Sequence, residues 1–241
     1  MVERNLFVDS KREYEERQIN LTNQNIISPF AAILVVIASF ILIMFGGAAS
    51  AILLGWGPTF IIGELLNIVI PLSYMLLKHI DIKTYVGIKI KRGTIVKGVV
   101  FGGILLLLDL VVTNVLVAIF GPSQAVVESN QMIADLSRSF LGLVYVTVGL
   151  FLTGVCEEFL FRAFLLNTIN RRYSFLPALV ISSLAFGLFH FDPQFVAIIA
   201  TFSLGLVLGY VYYRYKSYVT CAVAHSTLNL IILAISLLVL R

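Results

Sequence analysis

Apolar residues in this chain come in long runs, with little of the polar face that a soluble helix needs. Seven runs approach the roughly 20 apolar residues that cross a bilayer's hydrocarbon core. They lie at about 28–48, 58–78, 96–120, 139–165, 175–191, 194–214 and 218–240. Turn signals separate them: Gly55-Trp56-Gly57-Pro58 after the first, Gly121-Pro122 after the third, Asp192-Pro193 between the fifth and sixth. The fifth run is short for a full crossing. The fourth is long enough to project past the membrane. The pattern predicts an all-α fold, a polytopic membrane helix bundle of about seven transmembrane helices. Residues 1–25 read as a polar tail of mixed charge, and 26–241 as a single transmembrane domain.

Composition agrees. The chain is 59% hydrophobic and 12% charged, against about 45–50% and about 25% in soluble domains. Cys156 and Cys221 both lie in apolar runs, so two reduced thiols and no disulfide framework are expected. The net charge of +4 accompanies no nucleic-acid motif; no nucleic acid is expected as a partner, and the lipid bilayer is. The first segment is too acidic and too long for a signal peptide. With the N-terminus placed inside, 15 of the 17 Lys and Arg fall on the inner side, Arg162 among them, and only Arg138 and Arg241 fall outside. The positive-inside rule therefore predicts a multi-pass protein of the cell membrane with a cytoplasmic N-terminus. Residues 81–97, apolar and basic by turns, read as an inner loop lying on the membrane surface.

Against this background a few polar residues stand in the wrong place. Glu157-Glu158-Phe159-Leu160-Phe161-Arg162 closes the apolar run 141–156. An ionisable group at membrane depth costs roughly 2.5–3.5 kcal/mol on insertion scales and is kept where groups pair or do chemistry. Phe186-Gly-Leu-Phe-His190 and His225-Ser-Thr-Leu-Asn229 add two His and one Asn on later runs. At 1.5 Å per residue, Glu157, His190 and Asn229 all lie about 20 Å along their helices from the inner ends, and His225 about 14 Å. Three antiparallel helices thus bring these groups to one layer. Glu158 and Arg162 are i,i+4, the favourable order for an ion pair, which leaves Glu157 free on a stripe with Thr153, Gly154 and Phe161. His225 and Asn229 share another stripe with Cys221. Gly154, Gly187 and Gly205 are candidate points where a substrate backbone passes closely. Glu64 and Asp109 are also intramembrane and have no basic partner nearby in sequence.

These residue types suit peptide hydrolysis. Such chemistry needs a base for water and donors where the oxyanion forms. Glu157 is the candidate base, His190 can share the water's proton, and His225 and Asn229 can donate to the oxyanion. Glu158 and Arg162 would be structural. Glu157, His190 and His225 would also serve as a zinc site with an open position, and residue types alone do not choose between a metal-free and a metal-assisted hydrolase. A layer of ionisable groups with Glu64 and Asp109 fits a proton-coupled transporter as well, although no internal repeat is evident.

The ordered triple Glu-Glu-x-x-x-Arg, Phe-x-x-x-His and His-x-x-x-Asn resembles the CPBP family, the CAAX prenyl proteases of the Rce1 type together with bacteriocin-processing and immunity (Abi) proteins. All three motifs are intact, and the resemblance covers roughly residues 95–240, the expected catalytic core. It implies an intramembrane endopeptidase in which Glu157 and His190 activate water while His225 and Asn229 stabilise the oxyanion. The family's prenylated substrate does not carry over with the resemblance; the depth of the polar layer, the inner loop 81–97 and the inner ends of spans four to seven point instead to lipidated or membrane-embedded peptides reached from the cytoplasmic side. The resemblance also admits a non-catalytic immunity or scaffold protein. It names no particular substrate and no oligomeric state.

Overall fold

The computed structural model describes residues 27–239; the polar tail 1–25 lies outside them. Among these residues there are nine helices and no strand: α1 (Pro29–Leu54), α2 (Trp56–Leu77), α3 (Ile82–Val86), α4 (Arg92–Phe120), α5 (Gln124–Leu136), α6 (Phe140–Arg172), α7 (Phe175–Phe189), α8 (Val196–Tyr215) and α9 (Tyr218–Val239). The fold is therefore an all-α bundle. Six helices, α1, α2, α4, α6, α8 and α9, are long and apolar enough to cross a membrane. The seventh apolar run forms α7, whose 15 residues extend only about 22 Å. It stops at Phe189, two residues before the predicted end, and leaves His190 just past the last turn.

Small residues set the helix contacts, as expected where lipid removes the hydrophobic drive between helices. A Cβ on Gly98 or Gly102 of α4 would run into Val223 or Thr227 of α9. Gly57 and Gly149 hold α2 and α6 together, against Tyr145 and Phe60 respectively. The three glycines expected to admit substrate backbone are used in the same way. Gly154 packs on Ser226 of α9, Gly187 on Ile198 and Phe202 of α8, and Gly205 on Ser183 and Phe186 of α7. They are helix–helix contacts, and no space remains beside them for a third chain.

Two elements escape the hydropathy pattern. α5 is amphipathic and too polar to span, carrying Glu128, Asn130 and Asp135; it starts where the Ser123 hydroxyl caps Val126 N–H at 3.3 Å. α3 turns the predicted surface loop into a plug. Tyr85 and Val86 are buried, the Tyr85 hydroxyl meets Thr168 Oγ1 at 2.6 Å, Asn167 Nδ2 donates to Tyr85 O at 2.6 Å, and the Tyr212 hydroxyl donates to Val86 O at 3.2 Å. Tyr85 and Val86 thus key the start of the 81–97 segment between α6 and α8, while its basic residues stay exposed. On the other side, Asp192 ties three elements. Its carboxylate accepts from Ser123 Oγ at 2.8 Å, Gln194 N at 3.0 Å and Ala197 N at 2.8 Å. Burial alone would raise this carboxyl, but those donors outweigh it and hold it below the usual Asp value.

Candidate active site

The site forms where α6 changes its winding. Directly after Glu158 the helix loosens into a π-helical stretch, Phe159–Leu166, and all eight of its residues are buried. Looser winding shifts hydrogen bonds out of the α pattern and frees carbonyls for side chains. One of them is used by a neighbouring helix: Ser182 Oγ of α7 donates to Phe161 O at 2.7 Å. From α9, Tyr218 Oη donates to Val155 O at 2.8 Å and Ser226 Oγ to Phe151 O at 2.7 Å. These bonds fix α6 against its neighbours on both flanks of the Glu pair.

Glu158 is the electrostatic centre. Its Oε1 accepts from Arg162 Nη1 at 2.9 Å and lies 3.0 Å from His225 Nδ1, and both Glu158 and Arg162 are fully buried. The i,i+4 ion pair read from the sequence is therefore present. Arg162 does not belong with the inner basic loop residues, because its guanidinium sits inside the bundle over the Phe186 ring, 4.1 Å from the centroid. Since a carboxylate only accepts, the close His225 nitrogen must carry the proton. That fixes the ring and turns Nε2 toward Glu157, at 3.9 Å from its Oε2. Glu157 Oε2 is buried and has no hydrogen-bond partner among the described residues. Glu157 thus faces the site with free acceptor capacity, whereas Glu158 holds Arg162 and His225 through Oε1, although its Oε2 is also buried without a partner.

His190 and Asn229 stand at the edge of this cluster, both half-buried. His190 Nδ1 lies 3.0 Å from Phe186 O and is the donor there, which leaves Nε2 as an acceptor. The Phe186 ring links the two histidines, edge-on to His190 at 5.0 Å and to His225 at 5.8 Å. Asn229 Nδ2 donates to Leu150 O at 3.3 Å, and its second N–H is uncommitted. Among the described residues no three His, Cys, Asp or Glu side chains form a group that could hold a metal ion.

The other two intramembrane carboxyls part company. Asp109 is half-buried and meets Thr113 on its own helix at 3.4 Å. Glu64 of α2 comes to the site: it stands beside Thr153 and within electrostatic reach of Glu157, and Asn67 Nδ2 donates to its Oε2 at 3.3 Å. The intramembrane position of Glu64 was visible in the sequence, but its partner was not. Phe186 was visible only as a neighbour of His190. Its contact with Arg162 depends on how α7 meets the π stretch.

Residues 139–231 match the family model for type II CAAX prenyl endopeptidases, Rce1-like. The match begins just before α6 and ends within α9, so it contains all three motifs and with them Glu157, Glu158, Arg162, His190, His225 and Asn229. It is the same family that the motifs resemble. No curated protein and no solved structure matches the chain.

Proposed function

We propose that this chain is an intramembrane endopeptidase of the CAAX protease type, cutting lipidated or membrane-anchored peptides with water activated by Glu157. The observation that carries the reading is the unpartnered Glu157 Oε2, buried beside an oriented His225 in a layer of membrane helices. The four charged groups suit that chemistry. Glu157, Glu158, Arg162 and His225 sum to zero charge when Glu157 is a carboxylate and His225 an imidazolium. The sum is unchanged if one proton passes from His225 to Glu157. A proton can therefore move within the cluster without leaving net charge inside the membrane, which is the costly state.

The steps follow from the donors and acceptors. Glu157 takes a proton from water, which His190 Nε2 steadies as an acceptor. The resulting hydroxide oxygen bonds to the scissile carbonyl carbon. The oxyanion that forms receives hydrogen bonds from His225 Nε2–H and from the second N–H of Asn229. As the C–N bond breaks, the leaving amine takes the proton from Glu157, and the carboxylate is restored. Each donor is held in advance by a partner, Glu158 for His225 and Leu150 O for Asn229, so little reorganisation is needed at the moment of reaction.

An apolar groove supports a lipid-bearing substrate. It encloses about 380 Å³ between α1, the π stretch and α7, lined by residues such as Val36, Phe40, Leu165 and Phe189. Phe189 meets Phe161 at 4.8 Å, and Phe161 meets Phe186 at 5.2 Å, so the groove lies two rings from the site's centre. The test is cleavage of one peptide with and without a prenyl or acyl group by the purified chain in detergent. Each buried methylene adds to membrane affinity, so the lipidated form should be cut at least about tenfold faster. Equal rates would overturn delivery through the membrane. No cleavage of either peptide under conditions where the fold is intact would overturn the endopeptidase reading itself.

A further inference from the structure

α2 lies outside the segment that matches the family model, yet it forms one wall of the site. The register is readable from close contacts. Gly57 faces Tyr145, and Phe60 faces Gly149. Glu64 then stands beside Thr153. The offset between α2 and α6 stays at 88 or 89 residues through all three pairs, so the helices run parallel and in step. One turn further along, the same offset sets Asn67 and Ile68 opposite Cys156 and Glu157. Asn67 is only 4% exposed, and while its Nδ2 donates to Glu64 Oε2, its Oδ1 is buried without a partner.

The groups facing Glu64 are acceptors or neutral. From its own helix there is Asn67; from α6 there are Thr153, Glu157 and Cys156. The Thr153 hydroxyl spends its one proton on Gly149 O at 3.1 Å. Among the described residues no Lys, Arg or His forms an ion pair with Glu64. Glu64 is half-buried; a carboxylate with no cation to pair with, facing a second carboxylate between membrane helices, is an arrangement that apolar surroundings tolerate poorly, and a shared proton resolves it. We infer that Glu64, braced by Asn67, is a positioning residue for Glu157: held as the neutral acid, it donates its O–H toward Glu157 Oε2, directly or across one water. Glu157 is then held by Glu64 from α2, with His225 of α9 on its other side at 3.9 Å, and its carboxylate is aimed at the layer where His190 and Asn229 stand. The role builds on the proposed hydrolytic function of Glu157, and one arm of the test does not depend on that function.

The experiment uses the full chain in detergent with four variants, Glu64→Gln, Glu64→Leu, Glu157→Gln and the double variant Glu64→Gln/Glu157→Gln. Glu64→Leu should lower kcat by about tenfold to a hundredfold, the usual cost of losing an outer partner of a reacting group, with KM and thermal midpoint little changed. Glu64→Gln keeps an N–H donor in the same place and should restore most of that loss. Wild-type kcat in Glu64→Leu, or a fall in thermal midpoint with kcat unaffected, would overturn the role. The second arm is infrared spectroscopy of the unreacted protein at neutral pH. The difference between wild type and Glu64→Gln should contain the C=O stretch of a protonated carboxyl, and that band should shift when the same difference is taken in the Glu157→Gln background. A missing band, or one indifferent to Glu157, would overturn the inference even if peptide cleavage is found. A shifted band in a chain that cleaves nothing would uphold the carboxyl pair and remove the endopeptidase reading instead.

Discussion

Two glutamates adjacent in sequence acquire opposite duties here, and the difference is one of hydrogen-bond accounting. Glu158 Oε1 serves Arg162 and His225 together, while among the described residues no hydrogen bond reaches Glu157; the Oε2 of each is buried without a partner. Glu157→Gln removes a base and no bond that the fold depends on. It should abolish peptide cleavage while leaving the thermal midpoint within a degree or two of wild type, roughly the scale of a few tenths of a kcal/mol. Glu158→Gln and Arg162→Leu each strand a buried charge, and such losses cost about 3–5 kcal/mol. Those two variants should lose stability along with activity, as read by thermal unfolding in detergent. Normal turnover by Glu157→Gln would reverse the division of labour.

At the scale of elements, the site depends on how tightly α6 sits against its neighbours. Gly154 approaches Ser226 so closely that a Cβ there would overlap its backbone nitrogen. Gly154→Val should therefore force α6 and α9 apart and move His225 away from Glu158. Overpacking of this kind costs about 1–3 kcal/mol, and activity should fall further than stability because the pair at 3.0 Å is disrupted. Retained activity with a wild-type thermal midpoint would show that the contact is not needed. The Asp192 tie is a separate joint, joining the loop before α5 to the start of α8. Its carboxyl is held below the ordinary value by its donors, despite burial. The stabilisation is thus complete above the unfolded Asp value of about 3.9 and is lost as pH falls through the lower folded-state value. Asp192→Asn should lower the thermal midpoint near pH 7, and the gap to wild type should close in strong acid. A gap that is equal at both pH values would refute that origin.

For the molecule as a whole, the charge distribution predicts which way the bundle faces. α5 follows the third span and so should lie outside the cell if the N-terminus is inside. A cysteine introduced at Gln124 should then react with an impermeant thiol reagent added to intact cells. The native Cys156 and Cys221 are buried and do not compete. Labelling only after permeabilisation would invert the topology, and with it the expectation that substrates arrive from the cytoplasmic side.

Much of this protein was legible along the chain. Run length and composition determined an all-α membrane bundle, because backbone polar groups in lipid are satisfied only within helices or closed barrels. Helical spacing determined the Glu158–Arg162 pair and the layer of polar groups, because rise per residue is nearly constant. Only the tertiary structure decided what depends on neighbours distant in sequence. Nothing in Phe159–Leu166 announces a π-helical stretch, which buries a cation under Phe186. The hydropathy of Gly154 does not tell a packing contact from a substrate passage. The polar pattern of 81–97 does not reveal that Tyr85 locks onto Thr168. Above all, the sequence marks Glu64 as an unpaired intramembrane acid, and only the register of α2 against α6 brings it beside Glu157. Local spacing is written within one helix, whereas register between helices is set by close packing of side chains from both.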